Sequence, residues 1–302
     1  MFTGVPADRA TAAADRAGRR LAGRRFADVR WTAETGSTNS DAMALARDGG
    51  AEGIVVVADH QTGGRGRQGR VWVAPPEASL LVTVLLRPPS RVAGLASTAA
   101  GVAMAEAVEQ LTGHSPGLKW PNDLVVHGGD GTGPFGRPDF DANVEAVDRK
   151  LAGILAEADW PAGSTASGGW RPPAPDERLA VVVGVGINVN WPAELPDDLA
   201  EIATALNHLV GHEVDRVDLL VAFLERLEVR YDELVHGPPA ALLDEWRRRS
   251  ATLGRRVRVD LGPHDVEGVA VDLTDEGHLV VDTLEGDRRV YAAGDVVHLR
   301  PV

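Results

Sequence analysis

The spacing of hydrophobic and polar residues divides the chain into a long region of mixed pattern and a β-rich tail. In the first region, short apolar runs bounded by glycine and proline are typical of buried strands. Small and apolar residues at helical spacing predict a helix over residues 94–113 and a short helix that ends at Gly49. The runs that predict strands lie at residues 53–62, 79–88, 117–128, 150–159 and 179–190.

Toward the C-terminus the pattern changes to helical and then to alternating. Residues 215–237 and 238–251 carry apolar positions at the spacing of amphipathic helices. From Leu253 onwards, apolar and polar residues alternate around glycine-containing turns. This last pattern predicts a small β-barrel.

These changes of pattern suggest the domain boundaries. We expect an Ala/Arg-rich extension over residues 1–30, a main domain over 31–250 and a small β-barrel domain over 251–302. The stretches at 128–149 and 160–178 are rich in glycine, proline, serine and aspartate, and we interpret them as insertions within the main domain.

Composition excludes several classes of protein. Hydrophobic residues make up 44% of the chain and charged residues 25%, as in ordinary globular proteins. The absence of cysteine excludes disulfides, thiol nucleophiles and cysteine-bound zinc. No apolar run approaches the roughly 20 residues of a membrane span, and the N-terminus lacks the apolar core of a secretory signal. A net charge of -13 argues against nonspecific nucleic-acid binding. We therefore expect a cytoplasmic protein.

Lysine is used sparingly. Of 31 basic residues, only Lys119 and Lys150 are lysines. Arginine is thus the default cation of this chain. Because the two side chains are not interchangeable at a precise site, a retained lysine indicates a position that needs a compact ammonium group.

Residues 61–70, "QTGGRGRQGR", contain four glycines and three arginines, and we call them the cationic loop. Glycine lets backbone N–H groups approach an anion, and arginine supplies paired donors for phosphate or carboxylate. The segment is not a P-loop, because Val71 and Trp72 follow where Lys and Ser/Thr are required. It is also too short and unrepeated for an RGG tract. Anion binding, RNA binding and a solvated hairpin tip remain open on these residues alone.

Other motifs are ambiguous one by one. "VGVGINVN" at 183–190 is not a dinucleotide fingerprint, because Val189 stands at the third glycine position and Trp191-Pro192 follow. Its glycines instead allow close approach of a flat group to a buried strand. "GSTN" at 36–39 fits a helix N-cap, and "KWPND" at 119–123 fits a turn after a strand.

The order of these motifs closely resembles that of the biotin protein ligases over residues 30–302. The matching blocks are ETGSTN at 34–39, Q-x-x-G-R-G-R-x-G-R-x-W at 61–72, KWPND at 119–123, KLAGIL-x-E at 150–157 and G-x-G-I-N-x-N at 184–190. The resemblance implies an α+β fold: a mixed-sheet biotin/lipoate ligase-like catalytic domain with flanking helices and a small Src-homology-3-like β-barrel at the C-terminus. It also implies that biotin and ATP form biotinyl-5′-AMP, and that biotin then passes to a lysine of a biotin carboxyl carrier domain.

The resemblance implies roles for individual residues as well. Lys150 and Arg67 would be catalytic, with Lys150 reaching the reacting carboxylate and α-phosphate. Trp72 would lie near adenine, and Asp123 would be close to the nucleotide and its Mg²⁺. The biotin contacts would be Ser37, Thr38, Asn39, Gln61, Gly64, Arg65, Gly66, Arg67, Lys150 and Gly153. The nucleotide contacts would be Arg65, Arg67, Arg70, Trp72, Lys119, Asn122, Asp123 and Asn188.

Two alternative functions remain open on the sequence. Lipoate or octanoate ligases and transferases share the fold and transfer to a carrier lysine, but they lack the GRGRxGR block. A noncatalytic RNA-binding protein is disfavoured by the acidic charge and by the lack of interleaved aromatic residues. About 36 residues precede GSTN, too few for the winged-helix domain of some family members. We therefore expect a monofunctional ligase, monomeric or homodimeric, with no nucleic-acid or membrane partner.

Overall fold

The computed structural model describes residues 7–127, 148–159, 173–260, 265–292 and 294–299. Most of the predicted insertions at 128–149 and 160–178 lie outside these ranges. The predicted strands and helices are confirmed within a few residues, with one exception. The strand predicted over 117–128 is two antiparallel strands, Gly117–Lys119 and Asp123–His127, because the chain turns between them at Pro121.

A seven-stranded mixed sheet forms the main layer, with the spatial order β1-β2-β3-β7-β6-β5-β4. β1 and β2 are parallel, and the other neighbouring pairs are antiparallel. The interior strand β3 is buried along its whole length, which explains its near-continuous apolar sequence. The strands are β1 (Val29–Thr35), β2 (Val55–Gln61), β3 (Ser79–Leu86), β4 (Gly117–Lys119), β5 (Asp123–His127), β6 (Asp148–Asp159) and β7 (Ala180–Asn188).

Helices cover one face of this sheet fully and the other only in part. The long helices α4 and α6 pack together over the first face, and α7 and α1 flank them. On the opposite face α2 covers a corner near β2, β3 and β7, which leaves the rest of that face open for a cavity. The helices are α1 (Ala7–Arg20), α2 (Thr38–Arg47), α3 (Ser90–Ala93), α4 (Ala96–Thr112), α5 (Leu206–Val210), α6 (Arg216–His236) and α7 (Ala240–Arg248).

The helix ends follow their local chemistry. Asp215 accepts hydrogen bonds from the backbone N–H groups of Val217 and Asp218, and so caps the N-terminus of α6. Gly113 ends α4 with φ 74°, a left-handed conformation that glycine adopts without strain. α1 buries Ala17 and Leu21 follows it into the same core, so the predicted N-terminal extension packs against the main sheet.

The C-terminal strands form a separate five-stranded antiparallel sheet in the order β11-β10-β9-β8-β12. Its alternating pattern buries Val257, Ala270, Leu279 and Val281 on one side. β12 reaches back toward the main domain, and this places a C-terminal edge beside the cavity. The strands are β8 (Arg256–Asp260), β9 (Asp265–Leu273), β10 (Leu279–Thr283), β11 (Arg288–Tyr291) and β12 (Asp295–His298).

Within the part of the chain that the structure describes, no helix combines the length and the apolar character that crossing a bilayer requires.

Candidate active site

A cavity of about 330 Å³ lies on the open face of the main sheet, between α2, the cationic loop and β12. This volume is within the range of small-molecule sites. Most of the residues predicted for the site meet here. Those that line the cavity are Ser37, Thr38, Asn39, Gln61, Arg65, Gly66, Arg67, Arg70, Trp72, Lys119, Asn122, Asp123, Lys150 and Gly153.

Glycines form the floor of the cavity, and an indole lies flat on them. Gly153 of β6 and Gly186 of β7 are directly opposite in the strand register. A Cβ atom on Gly186 would come within 2.9 Å of the Trp72 ring, and one on Gly153 within 3.1 Å. The glycines thus admit a flat group, as predicted, but in this structure the group is the Trp72 side chain. Its Nε1 atom is buried without a hydrogen-bond partner among the described residues.

A third glycine accommodates a buried amide. A Cβ atom on Gly184 would lie 2.0 Å from Oδ1 of Asn39, so any larger residue would displace this amide. The Asn39 amide nitrogen donates to the carbonyl of Leu155 at 3.1 Å and to the Glu157 carboxylate at 2.8 Å. Thr83 Oγ1 lies 2.7 Å from Asn39 Oδ1. Hydrogen bonds to β3 and β6 therefore fix the orientation of Asn39.

Neutral hydrogen-bonding groups surround this end of the cavity. Gln61 Oε1 accepts from both the backbone N–H and the hydroxyl of Thr38, at 2.7 and 2.9 Å. Those bonds engage the amide oxygen of Gln61 and leave its amide nitrogen as a donor. Ser37 precedes α2 at the N-cap position but makes no side-chain capping hydrogen bond, so its buried hydroxyl is free for a ligand. This group of donors and acceptors suits a polar, uncharged ring.

The cationic loop closes over the cavity as a short hairpin. Gly66 N donates to Arg70 O at 2.6 Å, and Trp72 N donates to Gly64 O at 3.0 Å. At the tip, Gln68 and Gly69 have φ angles of 54° and 75°. Left-handed backbone at two consecutive positions is costly for most residues, and glycine removes the cost at the second.

The three loop arginines point to different partners. Arg65 reaches Ser40 and Glu157, each at 3.2 Å. Arg70 pairs with Asp295 of the C-terminal sheet. Among the described residues, Arg67 makes one side-chain hydrogen bond, to the amide oxygen of Asn122 at 3.5 Å. Burial lowers the pKa of Arg67.

At the opposite end of the glycine floor the cavity is cationic. Lys150 Nζ lies 2.7 Å from Asp123 Oδ1 and 5.6 Å from the centroid of the Trp72 ring. Lys119 lines the same end, and burial lowers its pKa. Both lysines of the chain thus lie in one cavity, as their rarity indicated.

Asp123 is also the residue predicted to contact Mg²⁺. Its Oδ1 atom is buried and lies 2.7 Å from Lys150 Nζ, so the ammonium group engages this oxygen. A carboxylate has two oxygens and about four lone-pair sites, so Asp123 can pair with Lys150 and still bind a cation. Mg²⁺ commonly binds proteins through one or two carboxylates together with substrate phosphates, and a single carboxylate beside a phosphate-binding end fits that pattern.

A second polar cluster joins the two domains beside Lys119. Asp148 pairs with Arg255 and lies 2.9 Å from the Nδ1 atoms of both His127 and His298. Burial opposes the charge on Asp148, but these hydrogen bonds outweigh burial and hold its pKa well below the usual range. Burial also lowers the pKa of His298.

Two of the predicted residues do not line the cavity. Asn188 donates to the carbonyl of Thr204 at 3.0 Å and accepts from Ser79 at 3.4 Å, so both ends of its amide are used within the protein. The expectation that Asn188 faces the nucleotide therefore lacks support in the geometry. Gly64 is buried inside the hairpin, where a Cβ atom would be 2.4 Å from Trp72 O.

Sequence reasoning assigned no role to three residues of this region. Glu157 and Thr83 hold Asn39, and Asp295 holds Arg70. Glu157 stands in the KLAGIL-x-E block and could have been selected from it. Thr83 lies in an apolar strand and Asp295 in the distant tail, and neither position carries a signal in the sequence.

Both domains of the chain match models of known families. Residues 37–165 match the Biotin/lipoate A/B protein ligase family, and residues 252–299 match the Biotin protein ligase C terminal domain. The first match contains the cavity residues of α2, the cationic loop, β5 and β6. The second contains β12 and its contact with Arg70.

Individual relatives cover nearly the whole chain. The biotin–[acetyl-CoA-carboxylase] ligase of Mycobacterium tuberculosis is 38% identical over 276 residues, which are 89% of this chain and 88% of that protein. The bifunctional ligase/repressor BirA of Bacillus subtilis is 32% identical over 85% of this chain and 70% of its own length. The biotin protein ligase of Aquifex aeolicus, solved in complex with biotin and ATP, is similar in structure with a TM-score of 0.67 and 25% identity, over 91% of this chain and 100% of the other. On the motifs, the fold and these relatives, the chain belongs to the biotin protein ligase family.

Proposed function

We propose that the protein activates biotin with ATP and transfers the biotinyl group to a lysine of a biotin carboxyl carrier domain. One observation carries this proposal: the cavity has hydrogen-bonding groups at one end, glycines along its floor and cations at the other end. The charges beside the first end, Arg65 and Glu157, are paired with each other. Gly184 contacts Asn39, and Gly186 lies opposite Gly153, which contacts Lys150. Because Gly184 and Gly186 are two residues apart on one strand, about 7 Å of sheet separates the two ends of the cavity. Biotin has a neutral ureido ring at one end and a carboxylate at the other.

In the first half-reaction a carboxylate oxygen of biotin attacks the α-phosphorus of ATP. A mixed anhydride bond forms, the bond to the β-phosphate oxygen breaks, and pyrophosphate leaves. The biotin carboxylate is already ionised at neutral pH, so the step needs no general base. It does bring two anions together, and Lys150 and Arg67 supply positive charge at that point. Mg²⁺ held by Asp123 and the phosphates would supply further charge neutralisation.

In the second half-reaction the amine of the carrier lysine attacks the carbonyl carbon of the anhydride. An amide forms, AMP leaves, and the nitrogen loses a proton. Before this step the anhydride must be kept from water. The cationic loop performs that task, because Gly66 and Arg67 line the loop side of the cavity that holds the reacting carbonyl.

Biotin-dependent release of pyrophosphate tests the proposal. Purified protein with saturating MgATP should release pyrophosphate when biotin is added, and calorimetry should show binding of biotin followed by ATP. Parallel reactions with lipoate and octanoate test the alternative substrates. Release with lipoate but not with biotin would replace the proposed activity by that of a lipoate ligase, and no release with any of the three would refute adenylation.

The proposal also covers the acceptor protein, the cellular compartment and the oligomeric state. The acceptor is the carrier domain of an acyl-CoA carboxylase, and the reaction takes place in the cytoplasm without nucleic acid. A net charge of -13 supports the exclusion of nucleic acid. The protein acts as a monomer or a homodimer. Gel-shift measurements at physiological salt and sedimentation of the purified protein test these statements directly.

A further inference from the structure

The outer two arginines of the cationic loop are held by carboxylates from different domains. Arg65 lies 3.2 Å from Glu157 of β6, and Arg70 pairs with Asp295 of β12. Arg67, between them in sequence, has no carboxylate partner among the described residues. The loop is therefore anchored on both sides, with its central arginine directed at Asn122 and the cationic end of the cavity.

Glu157 connects this anchoring to the ligand cavity. Its Oε2 atom accepts from Asn39 Nδ2 at 2.8 Å and also faces Arg65. The same carboxylate thus fixes the amide of a predicted biotin contact and one side of the loop. Ser40, the residue after Asn39, adds a second contact to Arg65.

Asp295 has the corresponding position on the C-terminal side. Its side chain is 17% exposed, whereas that of Arg70 is 65% exposed. Asp295 is therefore the fixed partner of this ion pair, and Arg70 is the partner carried by the loop. The neighbours of Asp295, Val296 and Val297, line the cavity itself. The C-terminal sheet therefore touches the site through the strand that holds Arg70.

We propose that Glu157 and Asp295 are positioning residues that hold the cationic loop closed, by pairing with Arg65 and Arg70, and so leave Arg67 free for the reacting anions. This inference rests on the proposed biotin-activating function. It assigns different roles to three arginines that the sequence presents as equivalent. It also gives the C-terminal domain a role in retaining the intermediate.

The anchors suit a loop that must open again. Partly exposed ion pairs contribute little individually, so neither anchor locks the loop. Removing one should shift the opening equilibrium by about two- to fivefold, the scale of such pairs. Because the two anchors lie in different domains and share no atoms, their effects should multiply.

The test measures escape of biotinyl-adenylate without carrier protein. After a single turnover we expect release to be about two- to fivefold faster in Glu157→Gln and in Asp295→Asn than in the parent, and about four- to twenty-five-fold faster in the double variant. Tryptic cleavage after the loop arginines should accelerate in the same order. Asp295→Glu keeps the carboxylate and should restore slow release.

Glutamine at 157 separates the two roles of that residue. Its amide oxygen still accepts from Asn39 but carries no charge for Arg65, so biotin affinity should stay near that of the parent. Glu157→Ala removes both contacts and should weaken biotin binding as well. A merely structural role would predict equal effects of the two substitutions on binding and release.

Matched controls lie on the same elements. Asp159→Asn removes an exposed ion pair between β6 and Arg47 of α2, and Asp282→Asn removes one between β10 and Arg288. Both should behave as the parent in release and in cleavage. Thermal unfolding of each variant confirms that the fold is intact, and Arg65→Gln and Arg70→Gln probe the same pairs from the loop side if either carboxylate variant does not fold.

The proposed role of Glu157 and Asp295 would be refuted if the folded double variant released biotinyl-adenylate, and was cleaved by trypsin in the loop, at the rates of the parent. Failure of the proposed function has a different signature: the parent itself would release no biotin-dependent pyrophosphate. Tryptic cleavage needs no catalysis, so it tests the anchors in either case.

Discussion

Lys150 Nζ lies 2.7 Å from Asp123 Oδ1 and 5.6 Å from the centroid of the Trp72 ring, which rests on the glycine floor. The ammonium group is thus held by a carboxylate on one side and an aromatic face on the other. Asp123 and Gly153 are paired across β5 and β6, so the strand register itself brings this carboxylate to the floor. A point charge is fixed where the carboxylate and phosphate of the proposed reaction meet.

Replacing Lys150 should therefore remove most of the adenylation rate and leave the fold intact. We expect Lys150→Ala to lose about 10²–10³-fold in the rate of biotin-dependent pyrophosphate release, the scale of one electrostatic contact to a transition state. Lys150→Arg should recover little, because its planar guanidinium cannot occupy the same place. Arg149→Ala, at an exposed position on the same strand, is the control and should keep full activity. Near-normal turnover in Lys150→Arg would show that any cation suffices.

Gly184→Ala should weaken biotin binding through Asn39. The added methyl group would lie 2.0 Å from Asn39 Oδ1, so the amide has to leave its contacts with Thr83 and Glu157. Overpacking of this kind costs about 1–3 kcal/mol, and we expect biotin affinity to fall about tenfold or more. Calorimetry measures the affinity. Gly18→Ala, where the added atom meets Ala27 O at an ordinary 3.5 Å, is the control. Unchanged affinity in Gly184→Ala would mean that Asn39 does not contact biotin.

The sequence predicts the site well where one short segment supplies the chemistry. The cationic loop, "KWPND" and both lysines stand out because glycine, proline and a rare lysine each have a strong local structural meaning. The apolar runs predict the strands. The glycines at 184 and 186 predict places of close approach, but only the structure shows that their neighbours are Asn39 and Trp72.

The contacts that depend on distant segments could not be predicted. Asp295 is 225 residues from Arg70, and the pairing of β12 with β8 brings it back to the loop. Asn188 belongs to a motif that suggested a ligand contact, yet its side chain bonds to Thr204, a residue with no signal of its own. Hydrogen-bond partners are set by tertiary packing, and a single sequence contains no record of which segments meet.

Arg67→Gly should let the reactive intermediate escape. Arg67 is half-buried, and burial lowers its pKa, so a bound anion is the partner that best compensates its lost solvation. Loss of one charge-assisted contact of about 1.5–3 kcal/mol corresponds to about 10–100-fold faster release. Free biotinyl-adenylate, or biotin and AMP from its hydrolysis, should accumulate without carrier protein. Biotin and ATP should also protect residues 62–71 of the parent from hydrogen exchange. Retention of the intermediate at the parent level in Arg67→Gly would contradict this role.

The contact between the two domains contains a buried histidine that should make stability depend on pH. His298 Nδ1 lies 2.9 Å from Asp148, and its Nε2 lies 3.3 Å from the hydroxyl of Thr252. Burial lowers the pKa of His298 below its ordinary 6.5. The positive charges of Lys119 and Arg255 lower this pKa further, and the hydrogen bond to Asp148 raises it but does not outweigh burial. The folded protein therefore holds this histidine neutral at a pH where the unfolded chain is protonated.

The sign of the effect follows from proton counting. Below pH 6.5 and above the lowered folded pKa, the unfolded chain binds one more proton at His298 than the folded protein does, so the free energy of unfolding rises with pH by up to about 1.4 kcal/mol per unit. The stability contributed by neutral His298 is complete above pH 6.5 and is lost as the pH falls through this window. Asp148, whose pKa is lowered from 3.8, changes stability only at more acidic pH and does not interfere. Urea unfolding between pH 5 and 7.5 should show this slope in the parent and in His114→Gln, an exposed control, but a reduced slope in His298→Gln. An equal slope in His298→Gln would assign the pH dependence to another group.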